Sequence, residues 1–420
     1  MVEKTNYCKE RVSTMTPLLA IEEASRCLLC HDAPCSKACP AETDPAKFIR
    51  SLRFRNLKGA IATIRENNIL GGVCSRVCPT HKYCEGACSR CGIDKPIQIA
   101  NLQRYLTDYE AVTHFEVLEK PSCSKSAVAI IGSGPSGLAA ATALAKDGFK
   151  VAVFEQREQL GGWLSYGIPP ERLPQDVIDH EILYIKNLGV SFSTNKKLGK
   201  DFTLETLKNQ GFKAVLLALG NQVTHLPKIQ GIESIGVMAG TEFLAEAKSN
   251  NGNIKVKQSV VVIGGGDVAM DCAITAMRLG AKDVKIVYRR TLQEMPASPD
   301  EKAYILANNI PILTGFMPDK IISENGKVIG LEAIGMRDES KLYIPVDQII
   351  FATGQKLEAN TAISHLEHIK GYRSNSEGIF MAGDMIAEDK TVVYSIKQGK
   401  EAAQTIADYL ASKEDVKNEN

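Results

Sequence analysis

A glycine-rich loop between an apolar strand and a helix of small residues occurs twice in this chain of 420 residues. Such a loop lets the backbone turn tightly, lets a pyrophosphate approach closely, and lets the following helix pack against the strand. The helix N-terminus supplies partial positive charge for the phosphates. The critical positions are Gly132, Gly134 and Gly137 in the first loop, and Gly264, Gly266 and Ala269 in the second. The sequence therefore predicts two dinucleotide-binding folds.

Apolar runs alternate with helical patterns from Ala127 onward, which is typical of parallel sheets covered by helices. Before them, Thr16-Pro17 and Asp44-Pro45 each combine a capping residue with proline at the first helical position. A mostly helical domain is therefore predicted for residues 1–120, followed by a polar, turn-rich linker. The predicted strands are 127–132, 151–155, 214–220, 260–264, 284–288 and 348–354.

The strands that follow the two glycine loops end in opposite charges. Glu155 ends the strand after the first loop, at the distance where a carboxylate accepts hydrogen bonds from ribose hydroxyls. Arg289 and Arg290 end the strand after the second loop, where cations suit the 2′-phosphate of NADP. The alternative for each is an ordinary solvated charge, because exposed charges interact weakly. The second fold is thus predicted to bind a nicotinamide dinucleotide, with charges that favour NADP.

Near the C-terminus an apolar strand ends in Gly383-Asp384, and a helix is predicted to begin near Thr391 and Val392. An aspartate in this position can bind the ribityl chain of FAD, and the helix N-terminus can stabilise negative charge on a reduced flavin ring. The alternative is a strand-to-helix turn in which Asp384 is only a cap. Gly162 completes the predicted set of cofactor-binding residues.

Nine of the twelve cysteines lie between Cys27 and Cys91, which favours cluster ligation over disulfides in a chain with no secretory signal. They form two runs that each contain a Cys-Pro step, as in the ferredoxin pattern where the cysteine before proline reaches a second cubane. Two [4Fe-4S] clusters are predicted, and a zinc module with tetrahedral thiolate sites is the alternative. The ligand sets by this pattern are Cys27, Cys30, Cys35 and Cys88 for one cluster, and Cys39, Cys78 and Cys84 with Cys74 or Cys91 for the other.

Charge and hydropathy exclude some classes of partner. With 50 basic and 49 acidic residues, the chain has no net field that would recruit nucleic acid or a membrane surface. No apolar run is long enough for a bilayer span, and Met1–Arg11 has no apolar signal region. We therefore expect a cytoplasmic protein.

Together, Cys27-Leu-Leu-Cys30-His-Asp-Ala-Pro-Cys35, Val77-Cys78-Pro79-Thr80, Gly264-Gly-Gly-Asp-Val-Ala-Met and Gly383-Asp384 give the chain a recognisable pattern. It resembles the NAD(P)H-oxidising portion of dihydropyrimidine dehydrogenase, as found in the separate subunit of the bacterial two-subunit enzyme. Glutamate synthase small subunits share the architecture and are the nearest alternative. The resemblance runs from about Thr16 to Leu410, essentially the whole chain.

The resemblance implies a helical iron–sulfur domain over residues 1–120 and a discontinuous FAD fold over 126–240 and 346–420. The NAD(P)H fold, 241–345, is inserted between the two parts of the FAD fold. The resemblance also supplies Gln103 as the fourth ligand of the second cluster, which leaves Cys74 and Cys91 unligated. The arginines after the second loop match the family's 2′-phosphate positions, but Met295-Pro296 stands where the animal enzymes have a further arginine.

The expected function is to take hydride from NAD(P)H onto FAD and to pass single electrons through both clusters. A flavin is required because a nicotinamide gives two electrons together and a cubane accepts one. No residue is predicted as an acid, base or nucleophile, and the chain has no room for a pyrimidine site. By resemblance, an FMN- and iron–sulfur-containing partner subunit interconverts uracil or thymine and the dihydropyrimidines. A non-enzymatic alternative is a zinc-bound interaction module joined to a relic flavin fold.

Overall fold

The computed structural model describes residues 7–115, 117–122, 124–358 and 361–418. The helices are α1 (Pro17–Ser25), α2 (Pro34–Lys37), α3 (Pro45–Arg53), α4 (Leu57–Asn67), α5 (Gly71–Val77), α6 (Ile99–Thr113), α7 (Pro135–Lys146), α8 (Trp163–Tyr166), α9 (Gln175–Asn187), α10 (Leu204–Asn209), α11 (Gly240–Ser249), α12 (Asp267–Arg278), α13 (Pro299–Ala307) and α14 (Val392–Asn418). Short 3-10 turns cover Thr80–Lys82, Ser89–Gly92 and Thr361–Ile363.

The strands are β1 (Lys125–Ile131), β2 (Phe149–Phe154), β3 (Ser191–Ser193), β4 (Ala214–Leu217), β5 (Val223–Thr224), β6 (Val237–Ala239), β7 (Ser259–Ile263), β8 (Asp283–Tyr288), β9 (Ile312–Thr314), β10 (Phe316–Glu324), β11 (Lys327–Gly335), β12 (Lys341–Pro345), β13 (Gln348–Phe351), β14 (Gln355–Lys356), β15 (His368–Lys370), β16 (Arg373–Ser374) and β17 (Ile379–Met381). An N-terminal helical region followed by α/β folds confirms the predicted fold class.

The chain divides into two compact units. The cysteine unit contains Val12–Ser165, Gln175–Gly220 and Ala359–Asn420. The insert unit contains Met1–Arg11, Tyr166–Pro174 and Asn221–Glu358.

In the cysteine unit, two helices begin at the predicted capping residues. The Thr16 hydroxyl accepts a hydrogen bond from the Leu19 N–H at 3.3 Å, and the Asp44 carboxylate accepts one from the Lys47 N–H at 3.3 Å. Both caps satisfy backbone donors that the first helical turn leaves without partners. The helices pack around a core that includes Phe48, and Cys27, Cys35 and Cys88 lie against that core.

The cysteine unit also contains a seven-stranded sheet in the order β15-β16-β17-β4-β1-β2-β3. The strands from β17 to β3 pair in parallel, whereas β15 and β16 join antiparallel at one edge. The parallel part places the carboxyl ends of its strands, and therefore the first glycine loop, at one edge of the sheet. Ligands bind at that edge in doubly wound folds.

The insert unit has a five-stranded parallel sheet in the order β6-β13-β7-β8-β9. The antiparallel sheet β10-β11-β12 packs on it through a shared apolar core. Because β6 and β13 pair within this sheet, the insert unit is larger than the 241–345 predicted from sequence. The main stretch of this unit begins after Gly220 and ends at Glu358. The unit also includes Tyr166–Pro174 and the N-terminal segment.

Within the described residues, no helix combines the length and the apolar character needed to cross a bilayer.

Candidate cofactor and cluster sites

The first glycine loop joins β1 to α7 and has no space for larger residues at two positions. Gly132 has a φ of +107°, and a Cβ there would lie 2.2 Å from the Ala218 carbonyl oxygen. A Cβ at Gly137 would lie 2.1 Å from the Gly132 carbonyl oxygen. Gly134 precedes α7, and no atom lies within 4 Å of the position its Cβ would take. The loop is therefore closed toward the protein and open at the helix N-terminus, as a pyrophosphate site requires.

Glu155, which follows β2, is buried beside the same loop. One carboxylate oxygen accepts hydrogen bonds from the Ser133 N–H at 3.0 Å and the Ser133 hydroxyl at 2.6 Å. The other accepts one from the Arg157 N–H at 3.0 Å. Gly162 also lies here, because a Cβ on it would be 2.9 Å from the Gly134 Cα. The structure thus brings together Glu155, Gly162 and the first loop.

The C-terminal candidates lie at the same place. A Cβ on Gly383 would be 3.1 Å from the Ser136 Cβ, and α14 packs so closely on α7 that a Cβ on Gly399 would be 2.2 Å from the Ser136 carbonyl oxygen. Asp384 accepts a hydrogen bond from the Ser395 hydroxyl at 3.0 Å, and burial raises the pKa of its carboxyl group. The N-termini of α7 and α14 and the carboxylates of Glu155 and Asp384 therefore lie around one cradle. Helix N-termini suit the phosphates and carboxylates suit the hydroxyl groups of FAD.

Thr391 caps α14, which begins at Val392 as predicted. Its hydroxyl accepts a hydrogen bond from the Tyr394 N–H at 3.4 Å. The same hydroxyl lies 3.2 Å from the phenol oxygen of Tyr83, which donates to the Asp389 carboxylate at 2.6 Å. Tyr83 lies between two predicted cluster ligands in sequence. Sequence reasoning missed it, because its partners lie about 300 residues away along the chain.

The second glycine loop, between β7 and α12, is built like the first. Gly264 has a φ of +150°, and a Cβ there would lie 2.3 Å from the Ala352 carbonyl oxygen. Gly266 precedes α12 with open space around it, and Ala269 is fully buried in that helix. The ring of Tyr288 leaves room only for hydrogen at Gly265. This arrangement fits a second dinucleotide.

Arg289 and Arg290 are exposed directly after β8. The Gly264 N–H donates to the Val287 carbonyl at 3.1 Å, so the strand end that carries both arginines lies beside the glycine loop. Glu294 is held nearby by the Thr291 N–H and hydroxyl, and these bonds, helped by Arg290, lower the pKa of its carboxyl group. The arginine pair therefore has an acid close to it, which sequence spacing did not single out.

The first predicted ligand set surrounds one cavity. Its lining includes all four members, together with the side chain of Leu28. Burial, and then the neighbouring thiols of Cys88 and Cys27, raise the pKa of Cys35 to about 11. Mutual effects of this kind require thiols that lie close together. The four residues of this set are Cys27, Cys30, Cys35 and Cys88.

The second predicted set, Cys39, Cys78 and Cys84, is also brought together. Burial raises the pKa of the Cys78 thiol far above its ordinary range, and the neighbouring Cys74 and then Cys84 add to the rise. Cys39 acts on both the Cys78 and the Cys84 thiols. In the described part of the chain, no three His, Cys, Asp or Glu side chains converge on a position for a single metal ion.

The three candidates for the remaining ligand differ in position. Cys91 is exposed, and its thiol donates to the Glu85 carbonyl at 3.4 Å. Cys74 is buried on α5 and acts electrostatically on Cys78. Gln103 is buried on α6, where its side-chain N–H donates to the Gly71 carbonyl at 2.7 Å. This bond places Gln103 beside the start of α5, the helix that carries Cys74.

A buried ionic group supports the helix α5, and sequence reasoning missed this group as well. Arg65, Glu110 and Glu181 are each about 1% exposed, and the Arg65 guanidinium donates to Glu110 at 2.7 Å and to Glu181 at 3.0 Å. Glu181 also accepts hydrogen bonds from the Gly72 N–H at 2.5 Å and the Val73 N–H at 3.4 Å. A carboxylate at a helix N-terminus satisfies free donors and the helix dipole.

The fold and these sites define an NAD(P)H-dependent oxidoreductase with FAD and [4Fe-4S] clusters. Residues 3–115 match the family model described as dihydropyrimidine dehydrogenase domain II, 4Fe-4S cluster, and residues 126–405 match pyridine nucleotide-disulphide oxidoreductase. The chain is 45% identical to the NAD-dependent dihydropyrimidine dehydrogenase subunit PreT of Salmonella typhimurium, over 96% of this chain and 98% of that protein. It therefore belongs to the PreT family of dihydropyrimidine dehydrogenase subunits.

Two further proteins are similar to this chain at lower identity. The chain is 32% identical to the NADP(+)-dependent formate dehydrogenase subunit beta of Moorella thermoacetica, over 90% of this chain and 60% of that protein. The fold is similar to the thioredoxin reductase of Lactococcus lactis, with a TM-score of 0.55 and 21% identity over 69% of this chain and all of that one. The second similarity concerns the fold alone.

Proposed function

We propose that this chain is the electron-input subunit of a dihydropyrimidine dehydrogenase. The supporting observation is the 45% identity along nearly the full length of a relative named as such a subunit. The presence of two cysteine sets and two dinucleotide loops on one chain also supports this role. The pyrimidine assignment is favoured over glutamate synthase by the relative's name and by the first family model.

The proposed binding residues divide among four cofactors, namely FAD, the nicotinamide dinucleotide and two iron–sulfur clusters. A flavin accepts two electrons together and releases them singly, which is the conversion needed between a nicotinamide and iron–sulfur clusters. We assign FAD to Gly132, Gly134, Gly137, Glu155, Gly162, Gly383, Asp384, Thr391 and Val392. We assign the nicotinamide dinucleotide to Gly264, Gly266, Ala269, Arg289 and Arg290. We assign one cluster to Cys27, Cys30, Cys35 and Cys88, and the other to Cys39, Cys78, Cys84 and Gln103.

The protein's own contribution is to bind, orient and polarise. The N-terminus of α7 faces the proposed pyrophosphate, and the N-terminus of α14 supplies positive partial charge where a reduced flavin ring develops negative charge. The capping hydroxyl of Thr391 orients that helix end. No side chain in these sites is needed as an acid, base or nucleophile.

We propose NADH as the physiological donor, because the named relative is NAD-dependent. Glu294 supports this choice, since a carboxylate near Arg290 reduces the positive charge available for a 2′-phosphate. The acceptor is an FMN- and iron–sulfur-containing partner subunit that interconverts uracil or thymine and the dihydropyrimidines. The two subunits form a hetero-oligomer, and we place the complex in the cytoplasm, where thiolate-bound clusters persist.

The test is dye reduction by the isolated, anaerobically purified chain with FAD bound. We expect turnover with NADH that exceeds turnover with NADPH, together with roughly eight irons and acid-labile sulfide per chain. Added pyrimidine subunit should then couple NADH oxidation to uracil reduction. Absence of turnover with either nucleotide would refute the proposal. Zinc in place of iron, with no acid-labile sulfide, would instead support the interaction-module alternative.

A further inference from the structure

Large apolar side chains are exposed on the segments that line the first cysteine cavity or directly follow its lining. Leu28 lines this cavity and is nevertheless 46% exposed. Phe54, at the end of α3, is 71% exposed, and Ile93, after the Ser89–Gly92 turn, is 66% exposed. Exposed apolar side chains that group around one feature mark interaction sites more often than scattered ones do.

Contacts of neighbouring residues connect the chain next to Phe54 and next to Ile93 with Arg26 and Cys27. The Arg53 guanidinium, next to Phe54, donates to the Cys27 carbonyl at 3.2 Å. The Arg26 guanidinium donates to the Asp94 carboxylate, next to Ile93, at 3.2 Å. The end of α3 and the segment after the Ser89–Gly92 turn therefore both contact the stretch that begins the first ligand set.

Phe54 is held outward by the way α3 ends. Its N–H donates to the Arg50 carbonyl at 3.3 Å, which completes the last helical turn. Arg55 then has a φ of +60°, a left-handed conformation that glycine commonly occupies after a helix. The ordered helix end projects Phe54 and Arg55 to solvent side by side.

The stretch of chain that contains Phe54 carries charge of one sign. Residues 45–65 contain six basic residues and no acidic one. Arg65 is buried with its two carboxylates, but Arg50 and Arg55 are exposed on either side of Phe54. An apolar centre with a basic rim matches the usual anatomy of a protein interface, in which charged rims steer association.

We propose that this Phe54 surface, formed by Leu28, Phe54 and Ile93 with Arg50 and Arg55, docks the electron-accepting partner subunit. The partner presents acidic residues around its own acceptor group, and electrons leave through the cluster held by the first cysteine set. The inference rests on the proposed function and adds the place of contact. Electron-transfer interfaces are often small, so a surface of this extent is sufficient.

The test uses the full, cluster-loaded chain and the recombinant FMN- and iron–sulfur-containing pyrimidine subunit. Two variants change the Phe54 surface, namely Phe54→Glu and the double variant Arg50→Glu with Arg55→Glu. We expect about a tenfold or greater rise in KM for the partner subunit with each, while NADH-dependent dye reduction is unchanged. Added salt should also raise the wild-type KM, and it should do so less in the arginine double variant.

Matched controls change exposed residues of the flavin-fold sheet region. Ile369→Glu introduces the same charge at an exposed apolar residue, and Lys150→Glu with Lys208→Glu reverses two exposed charges. Both should leave the KM for the partner within about twofold. If the Phe54-surface variants match these controls while dye reduction is intact, the docking surface is wrong and the proposed function stands. If wild-type dye reduction itself is absent, both proposals fail.

Two other occupants of the surface would also overturn the proposal. A second copy of this chain would be revealed if Phe54→Glu changed the mass in solution of the isolated chain. An anionic membrane would be revealed if phosphatidylserine vesicles bound the wild type and not the arginine double variant. Either result, combined with an unchanged KM for the partner, assigns the surface elsewhere.

Discussion

Tyr83 joins the loop that carries a proposed cluster ligand to the helix end at the proposed flavin site. It immediately precedes Cys84, a proposed cluster ligand, and its phenol contacts Asp389 and Thr391 at the N-terminus of α14. That helix end is the proposed site of the flavin ring. The phenol thus fixes the ligand loop against the cradle through two hydrogen bonds.

Tyr83→Phe is expected to slow reduction of the clusters by NADH, because the loop that carries Cys84 loses its attachment. Loss of a hydrogen bond to a carboxylate should also lower the free energy of unfolding by about 1 to 2 kcal/mol. Stopped-flow absorbance during anaerobic reduction measures the first effect, and denaturant unfolding the second. FAD content should not change. Tyr109→Phe, at an exposed tyrosine of α6, is the control, and equal kinetics in both variants would contradict the attachment.

Arg289 and Arg290 are the residues that we propose to discriminate between NADH and NADPH. Removing both with alanine should lower kcat/KM for NADPH by about thirtyfold, because each exposed arginine contributes on the order of 1 kcal/mol to a 2′-phosphate. The kcat/KM for NADH should change little. The measurement is dye reduction over a range of each nucleotide. An equal loss with NADH would mean that the arginines bind a part common to both nucleotides.

Sequence predicts best those residues whose role needs no partner far along the chain. Gly132 and Gly264 could be identified because the tight turn and the close carbonyl both require glycine, and the pattern that states this is local. Glu155 was placed correctly beside the loop, although its carboxylate bonds to Ser133 and its role toward a ribose is still a prediction. Tyr83 had no local pattern, since its importance comes from tertiary contacts. Glu294 was missed although its contacts with Thr291 are local.

At the scale of elements, α5 depends on a helix from another part of the chain. This short helix ends just before Cys78, and its N-terminus is capped by Glu181 of α9. Burial raises the pKa of Glu181 to about 7, while Arg65 opposes the rise. The cap therefore couples the flavin-fold sheet region to the helix that leads into the second ligand set.

Glu181→Ala should lower the stability of the protein by about 3 kcal/mol, because Arg65 then keeps only one of its two buried carboxylates. The variant should also lose iron faster when a chelator is added. Glu181→Gln keeps an acceptor for the Gly72 N–H, so this variant should lose less stability and release iron more slowly than the alanine variant. Denaturant unfolding and chelation kinetics are the measurements. An alanine variant as stable as the wild type would show that the cap has no energetic role.

Element boundaries followed from sequence where a local signal existed. Thr16, Asp44 and Val392 mark helix starts that the structure confirms, because caps and proline act within one turn. The assignments of β6 and β13 to the first fold were wrong, since both pair in the five-stranded sheet of the insert unit. Strand pairing depends on residues more than twenty positions apart, and apolar runs alone do not specify it.

At the scale of the whole molecule, the insert unit is assembled from three separate stretches of chain. Arg11 from the N-terminal segment donates to Glu301 of α13 and lies 3.8 Å from Glu171. Arg172 binds both oxygens of Asp271 on α12 at 2.8 Å. These groups are largely buried, so removing one partner leaves an uncompensated charge. Sequence reasoning could not place residues 7–11 here, because isolated charges carry no information about their partners.

Arg11→Ala should therefore destabilise the insert unit by about 3 kcal/mol at neutral pH. Burial works against ionisation of Glu301, but Arg172 and Arg11 together hold the pKa of its carboxyl group below the ordinary 4.5. A carboxyl group with a lowered pKa contributes stability above its unfolded value and loses it as the pH falls. The difference in unfolding free energy between wild type and variant should thus be full at pH 7 and shrink as the pH drops below about 4.5. Denaturant unfolding across this range measures it, with exposed Lys9→Ala as the control. A difference that is constant with pH would mean that Arg11 stabilises the unit through its contact with the Tyr304 ring, 4.7 Å away, instead of through charge.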